Sequence, residues 1–307
     1  MTQYVVRRVL LLFPTLLAVY TITFVLIHAI PGSPFDAGDK ASDETIKRLA
    51  HSYGADQPLY RQYLTYLWNI LHGRFGPSYV QQNRDVSEII RNFFPVSIQL
   101  GILAMILAVV IGLTLGIFGA VRQNTFADYF STFGAIIGVS TPSYVVAALL
   151  ILLLANTLHL VPTGGWDGMF SKQAIVPAFA LALGPAAILA RYTRSSLLDV
   201  LRQDYIRTAR AKGLTDRVAI VRHALRNALI PVVTVMGLSF ANVITGSFFI
   251  EVTCNVPGLG RYFINSISGR DYPVVFGTVL LFAAVIAVMN LIVDLMYGVL
   301  DPRIAYA

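Results

Sequence analysis

The chain alternates long apolar runs with shorter polar breaks. Runs free of Asp, Glu, Lys and Arg occupy residues 9–30, 96–121, 130–161, 174–190, 227–250 and 272–293. A helix needs about 20 predominantly apolar residues to cross a bilayer. The pattern therefore predicts six transmembrane helices and an all-α polytopic membrane protein. Pro142, within GVSTPSYV, predicts a bend in the long third run. The fourth run is short and carries Pro177, Gly184 and Pro185, which predicts a broken helix. An even number of spans places both termini on one side.

Composition agrees with this class. Hydrophobic residues make up 56% and charged residues 13%, with a mean hydropathy of +0.68, against about 25% charged in soluble domains. The net charge of +7 does not point to nucleic acid, because the basic residues flank apolar runs and read as an orientation signal. With the N-terminus in the cytoplasm, 13 Lys/Arg fall inside and 10 outside. Seven of those ten lie in the long loop after the first span, where such charges carry little weight. Both termini are therefore expected in the cytoplasm. The first run is too long for a cleaved signal and is followed by no A-x-A-type site. The single cysteine, Cys254, excludes an internal disulfide and a Cys-based zinc site.

Three parts follow: residues 1–30 with the first span, an extracytoplasmic loop at 31–95, and a core at 96–307 with five spans. Within the loop, residues 43–53 and 59–72 have helical spacing. The second places Leu59, Tyr63, Leu67, Ile70 and Leu71 on one side, and Gly73, Gly76 and Pro77 stop it. Such a loop serves either as a helical cap or as a docking surface for an outer partner.

Catalytic chemistry has no footing here. There is no G-x-x-x-x-G-K-[ST] phosphate loop and no G-x-S-x-G elbow, and no span holds paired carboxylates. The five histidines (His28, His51, His72, His159 and His223) lack metal-ligand spacing. No catalytic, cofactor or metal residue is assigned, so the chain is expected not to be an enzyme.

The most informative stretch is 191–226, with nine Lys/Arg against three Asp. A short helix at 205–212 is predicted, with small Ala209 and Ala211 and cations at Arg207, Arg210 and Lys212. Gly213 breaks it, and Thr215 is expected to cap the next helix through its side chain. Val218, Val221, Leu225 and Leu229 then mark one buried face. Two readings fit: a basic loop that sets topology beside anionic lipid, or a helix–Gly–helix knob for a soluble partner. Among intramembrane polar groups, Ser239, Asn242 and Thr245 share a face and Asn290 stands one turn from Asp294. These are candidates for a pathway lining or for interhelical hydrogen bonds, and Gly237 and Gly246 fit close helix packing.

The strings RTARAKGL and RHALRNALIPVV resemble the cytoplasmic motif of permease subunits in binding-protein-dependent ABC importers of the peptide/nickel subgroup. The likeness covers essentially the whole chain, including PGSPF, HGRFGPSY, PTGGWDG, VPGLG and the DPRI end, and is strongest to B-type oligopeptide and dipeptide permeases. The general motif, Glu-Ala-Ala then Gly, is held here by Arg207, Thr208, Ala209 and Gly213, so the glutamate is absent. The resemblance implies a type I permease fold and a docking segment at 205–222 for separate ATPase subunits, with Tyr205, Arg207, Thr208, Ala209, Arg210, Ala211, Lys212, Gly213 and Leu214 at its centre. It also implies a C-type permease partner, two ATP-binding subunits holding ATP and Mg, and an outer solute-binding protein facing Val256, Pro257, Gly258, Leu259 and Gly260. The expected function is import of oligopeptides or dipeptides across a prokaryotic inner membrane. Nickel chelates, glutathione or other small solutes are the alternative cargo. A stand-alone secondary transporter is the alternative mechanism, its best pointer being the broken fourth helix.

Overall fold

The computed structural model describes residues 2–29, 51, 54–81, 84–245 and 247–300. The helix expected at 43–53, Gly246 and the DPRI end lie outside the described residues, apart from His51. In order, the helices are α1 (Thr2–Ala29), α2 (Leu59–Leu71), α3 (Val86–Val121), α4 (Phe126–Ser140), α5 (Ser143–Leu150) and α6 (Ile175–Leu201). They continue as α7 (Asp204–Ala211), α8 (Asp216–Thr245), α9 (Phe248–Thr253), α10 (Leu259–Ser268) and α11 (Tyr272–Leu300).

Helices α1, α3, α6, α8 and α11 are long and apolar enough to cross a membrane. The third apolar run behaves differently. It breaks at Thr141–Pro142, and the two arms, Asp128–Ser140 and Ser143–Thr157, meet at 104°. Pro142 lacks the N–H that would continue the helix, so the expected bend is a full break. Neither arm alone reaches the roughly 30 Å of a hydrocarbon core. Together they run from Asp128, bonded to Arg194 near the end of α6, to the loop where Gly165 N–H meets the Cys254 carbonyl at 2.9 Å. Counted as one broken span, the pair brings the crossings to six.

The fourth expected span is corrected in the other direction. Helix α6 runs unbroken for 27 residues and is the most buried of the spans. Pro177 stands in its first turn, where a missing N–H costs nothing. Pro185 lies within a helix walled in by α3, α4, α5 and α8, and such neighbours hold a proline-containing span together. The span looked short in sequence because Arg191 and Arg194 interrupt the apolar run while the helix continues beneath them.

The centre of the bundle is the crossing of α3 on α6. A Cβ on Gly112 would meet the Ala186 carbonyl oxygen at 2.7 Å, and one on Gly116 would meet the Ala190 carbonyl oxygen at 2.6 Å. Only hydrogen fits at these two positions. Around the crossing, Leu100, Ala104, Ala108, Ala182, Ala186 and Leu189 form a core of small and aliphatic side chains. Gly237 plays the expected close-packing role on α8, where an added Cβ would collide with Val293 of α11.

Helix α4 is fixed to α6 by charge. Asp128 accepts from Arg194 Nε at 2.5 Å and Nη2 at 2.8 Å, and from the Asn124 N–H at 3.0 Å. The Asp128 side chain is 4% exposed, so its charge depends on this fork for compensation.

Two stability outcomes follow. Gly116→Leu forces α3 off α6 and is expected to destabilise by about 1–3 kcal/mol or more. It should lower the thermal unfolding midpoint in detergent, whereas Gly134→Ala, whose methyl meets open space, leaves that midpoint unchanged or raised. Asp128→Ala leaves Arg194, 30% exposed at the cavity beside α4, without this partner and is expected to cost about 1–3 kcal/mol. Part of that loss returns in the Asp128→Arg/Arg194→Asp exchange, read by the same melt.

Candidate coupling segment and membrane cavity

Helix α7 is anchored by one side chain. Ile206 is fully buried among Ala120, Leu197, Ala224 and Ala228, so α7 sits on the joined ends of α3, α6 and α8. Tyr205 adds a second tie, its hydroxyl accepting from Asn227 Nδ2 at 2.9 Å. The rest of the segment faces outward: Arg207, Thr208, Arg210, Ala211, Lys212, Gly213 and Leu214 are exposed, and Ala209 is half-buried.

The break at Gly213 has a defined geometry. Gly213 N–H bonds the Arg210 carbonyl at 2.9 Å and Leu214 N–H bonds the Ala209 carbonyl at 3.3 Å. This is the Schellman pair that ends a helix, and it needs a left-handed residue. Gly213 supplies it with φ of +86°. Arg210 Nε then reaches across the turn to Asp216 Oδ1 at 2.9 Å. Thr215 stands at the start of α8 but makes no side-chain cap, correcting the expectation; only its carbonyl takes part, accepting from Ala219 N–H at 3.0 Å.

The expected buried face of α8 is also corrected. Val218 and Val221 are exposed, at 39% and 61%, while Ala219, Ala224, Ala228 and Val232 are buried. The buried positions step by five, four and four. The step of five coincides with a π-helical turn at Ala219–Ala224, which adds a residue and rotates the pattern. Uniform helical spacing therefore misplaced Val218 and Val221, while Leu225 and Leu229, beyond the π-turn, are half-buried against the core as expected.

Two adjoining cavities open along α4 and α6. One, of about 300 Å³, is lined by Thr141 and Ser143 at the break, Gly184 and Pro185 of α6, and Ser239 and Asn242 of α8. The other, of about 420 Å³, lies towards α7 and is lined by Ser131, Thr132 and Ser140 with Arg191, Arg194 and Ser195. Val139 borders both. Ser239 and Asn242 thus share a wall, as their spacing suggested. Thr245 does not join them; its hydroxyl bonds the Ala241 carbonyl of its own helix at 2.9 Å. Asn290 is exposed on α11, outside both cavities. Sequence reasoning missed Ser140, Thr141 and Ser143, although a signal was present: three polar residues around a proline inside an apolar run. Non-helical backbone at membrane depth survives where it lines a cavity or is buried in protein.

The turn Val256–Gly260, expected to face a binding protein, is packed inside the chain. Val256, Gly258, Leu259 and Gly260 are buried, and only Pro257 is partly open. The cause is Glu251, fully buried beneath the turn. Its carboxylate accepts from Ser247 Oγ at 2.6 Å and from the Arg261 N–H at 3.2 Å, at the start of α10. Ser97 Oγ of α3 accepts from Leu259 N–H at 2.9 Å. Any Cβ on Gly258 would collide with the Glu251 carboxyl. Burial pushes that carboxyl above the usual carboxylate range, opposed by the hydrogen bonds it receives.

Comparison with known proteins gives this geometry its family. Residues 108–306 match the family model described as binding-protein-dependent transport system inner membrane component, and residues 1–101 match its N-terminal companion. The chain is 45% identical over 304 residues to the dipeptide transport system permease protein DppB of Bacillus subtilis, covering 99% of this chain and 98% of that protein. It is 42% identical over 306 residues to the oligopeptide transport system permease protein OppB of Escherichia coli, covering all of both. Among solved structures it shares its fold with the inward-facing MetNI methionine ABC transporter, at a TM-score of 0.59 and 17% identity over 69% of this chain and 96% of that one. An amino acid ABC transporter gives a TM-score of 0.52 at 19% identity, over 70% and 94%. A multi-pass bundle with a basic helix–Gly–helix at one end, matched along its whole length, belongs to the family of inner membrane components of binding-protein-dependent transport systems.

Proposed function

We propose that this chain is one of two permease subunits of an ATP-driven importer that carries oligopeptides or dipeptides into a prokaryotic cytoplasm. The observation that carries this reading is the full-length identity to proteins named as dipeptide and oligopeptide permeases. The surface of α7 and the start of α8 supports the docking role. It combines exposed apolar Leu214, Val218 and Val221 with exposed Arg207, Arg210 and Lys212. A loop that only touched lipid headgroups would have no use for a rigid Schellman turn seated on a buried isoleucine.

In this reading α7 enters a cleft on a cytoplasmic ATP-binding subunit, which holds ATP and Mg, and a C-type permease supplies the second such helix. ATP binding draws the two ATPases together and carries both segments with them. Because Ile206 ties α7 to α3, α6 and α8, that movement reaches the cavities along α4 and α6, one of them walled also by α8. The pathway opens outward to a solute-binding protein, then inward after hydrolysis. The partner drives this exchange only through its different affinity for the two states.

Gly213→Pro removes the N–H that bonds the Arg210 carbonyl and fixes φ near −65°, which the turn forbids. It is expected to abolish transport-coupled ATPase activity in proteoliposomes of the whole transporter while the chain still inserts. Reversal of Arg207, Arg210 and Lys212 to Glu should do the same and reduce co-purification of the ATPase subunits. Undiminished coupling in both variants would remove the docking role from this segment.

A further inference from the structure

Helix α2 is apolar on two sides. One side packs Tyr63, Tyr66, Leu67 and Ile70 against α1 and α11. The other carries Tyr60, Leu64, Trp68 and Leu71, exposed at 62%, 59%, 64% and 69%. Arg61 is the sole charge among its 13 residues. Exposed stripes of this size in a short helix call for a partner.

The depth of α2 identifies that partner. In α11 the run free of charged residues, between Asp271 and Asp294, has 22 residues, or roughly 33 Å at the helical rise, close to the thickness of a hydrocarbon core. Its first residue therefore stands near the membrane boundary. Phe276, one turn further in, lies 5.9 Å from the Tyr66 ring, and Val279 and Leu280 join the same cluster. On α1, Tyr20 donates its hydroxyl to the Tyr63 carbonyl at 2.7 Å, and Thr21 Oγ1 meets the Tyr63 hydroxyl at 2.9 Å. Tyr20 and Thr21 are two turns inside the end of α1 at Ala29, about 12 Å by rise. Helix α2 therefore lies beside the spans. The exposed apolar surface of α1, with Ile22, Val25 and Leu26 about 60% exposed, occupies the same depth.

We propose that α2 is embedded in the leaflet opposite α7, with Tyr60, Leu64, Trp68 and Leu71 in contact with phospholipid. A helix satisfies its own backbone in lipid, and Tyr and Trp suit the boundary between chains and headgroups. The inference rests only on the chain spanning a membrane. Its consequence is that any docking surface for an outer partner excludes this helix.

Nitroxide labels on Leu64→Cys and Trp68→Cys, in the full chain within the assembled transporter, test this in phosphatidylethanolamine/phosphatidylglycerol vesicles after removal of the partners' cysteines. Cys254 is buried and stays in place. Collisions with oxygen, which concentrates in lipid, are compared with those of a water-soluble nickel chelate. The expected oxygen-to-nickel ratio at both sites is several-fold above that at a label on Gln123→Cys, exposed in the polar turn between α3 and α4. A ratio equal to that of Gln123 places α2 in water, and low collision rates with both reagents place it against protein. Either result overturns the proposal.

Discussion

The approach of α3 to α6 at Gly112 and Gly116 is the constraint on which the rest depends. Inside a bilayer, lipid competes equally for apolar side chains, so helices associate through close packing and hydrogen bonds. Two glycines one turn apart let the α6 carbonyls of Ala186 and Ala190 come within van der Waals reach of the α3 backbone. With that side of α6 committed, its other sides hold α4 through Asp128–Arg194 and form the walls of both cavities. Its end runs into α7, and Ile206 locks that junction to α3 and α8. The proposed docking surface and the cavity wall are thus joined by one helix.

The opposite end of the bundle is held by a different device. Glu251, Ser97 and the N–H groups at the start of α10 bind the turn Val256–Gly260 into the interior. Asp271, also buried, accepts from Ser78 Oγ and from the Tyr79 N–H at 3.0 Å, tying the segment before α3 to the start of α11. This end is cross-linked by polar groups, whereas the middle is packed by small residues. The proposed roles divide along the same line: recognition by a soluble ATPase at α7, lipid contact at α2, and a cavity between.

The spans, the Pro142 break and the helix–Gly–helix of 204–216 were legible in sequence, because each rests on a local rule: apolar length, a missing N–H, or a residue free to turn left-handed. The errors share a cause in tertiary context. Alanine is too weakly apolar to mark a buried face, so Ala219, Ala224 and Ala228 were passed over for Val218 and Val221, and the π-turn between them was invisible to uniform spacing. Helix α6 was cut short because arginines at its edge look like an end when only composition is read. Leu59 and Leu71 were grouped with Tyr63, Leu67 and Ile70 on spacing, yet both face outward, since α2 has two apolar sides and only one can pack. Glu251 carried no signal at all; its role exists only once the glycine turn folds over it.

The central claim is that α7 and its Gly213 turn contact a soluble ATP-binding subunit. A photo-activated cross-linking side chain at Lys212, introduced in the full chain in native membranes, measures this directly, with Phe170, 98% exposed in the loop before α6, as the control. The account predicts an adduct with an ATP-binding polypeptide from Lys212 and none from Phe170. Adducts with lipid alone at Lys212, or the same polypeptide captured from both positions, would contradict it.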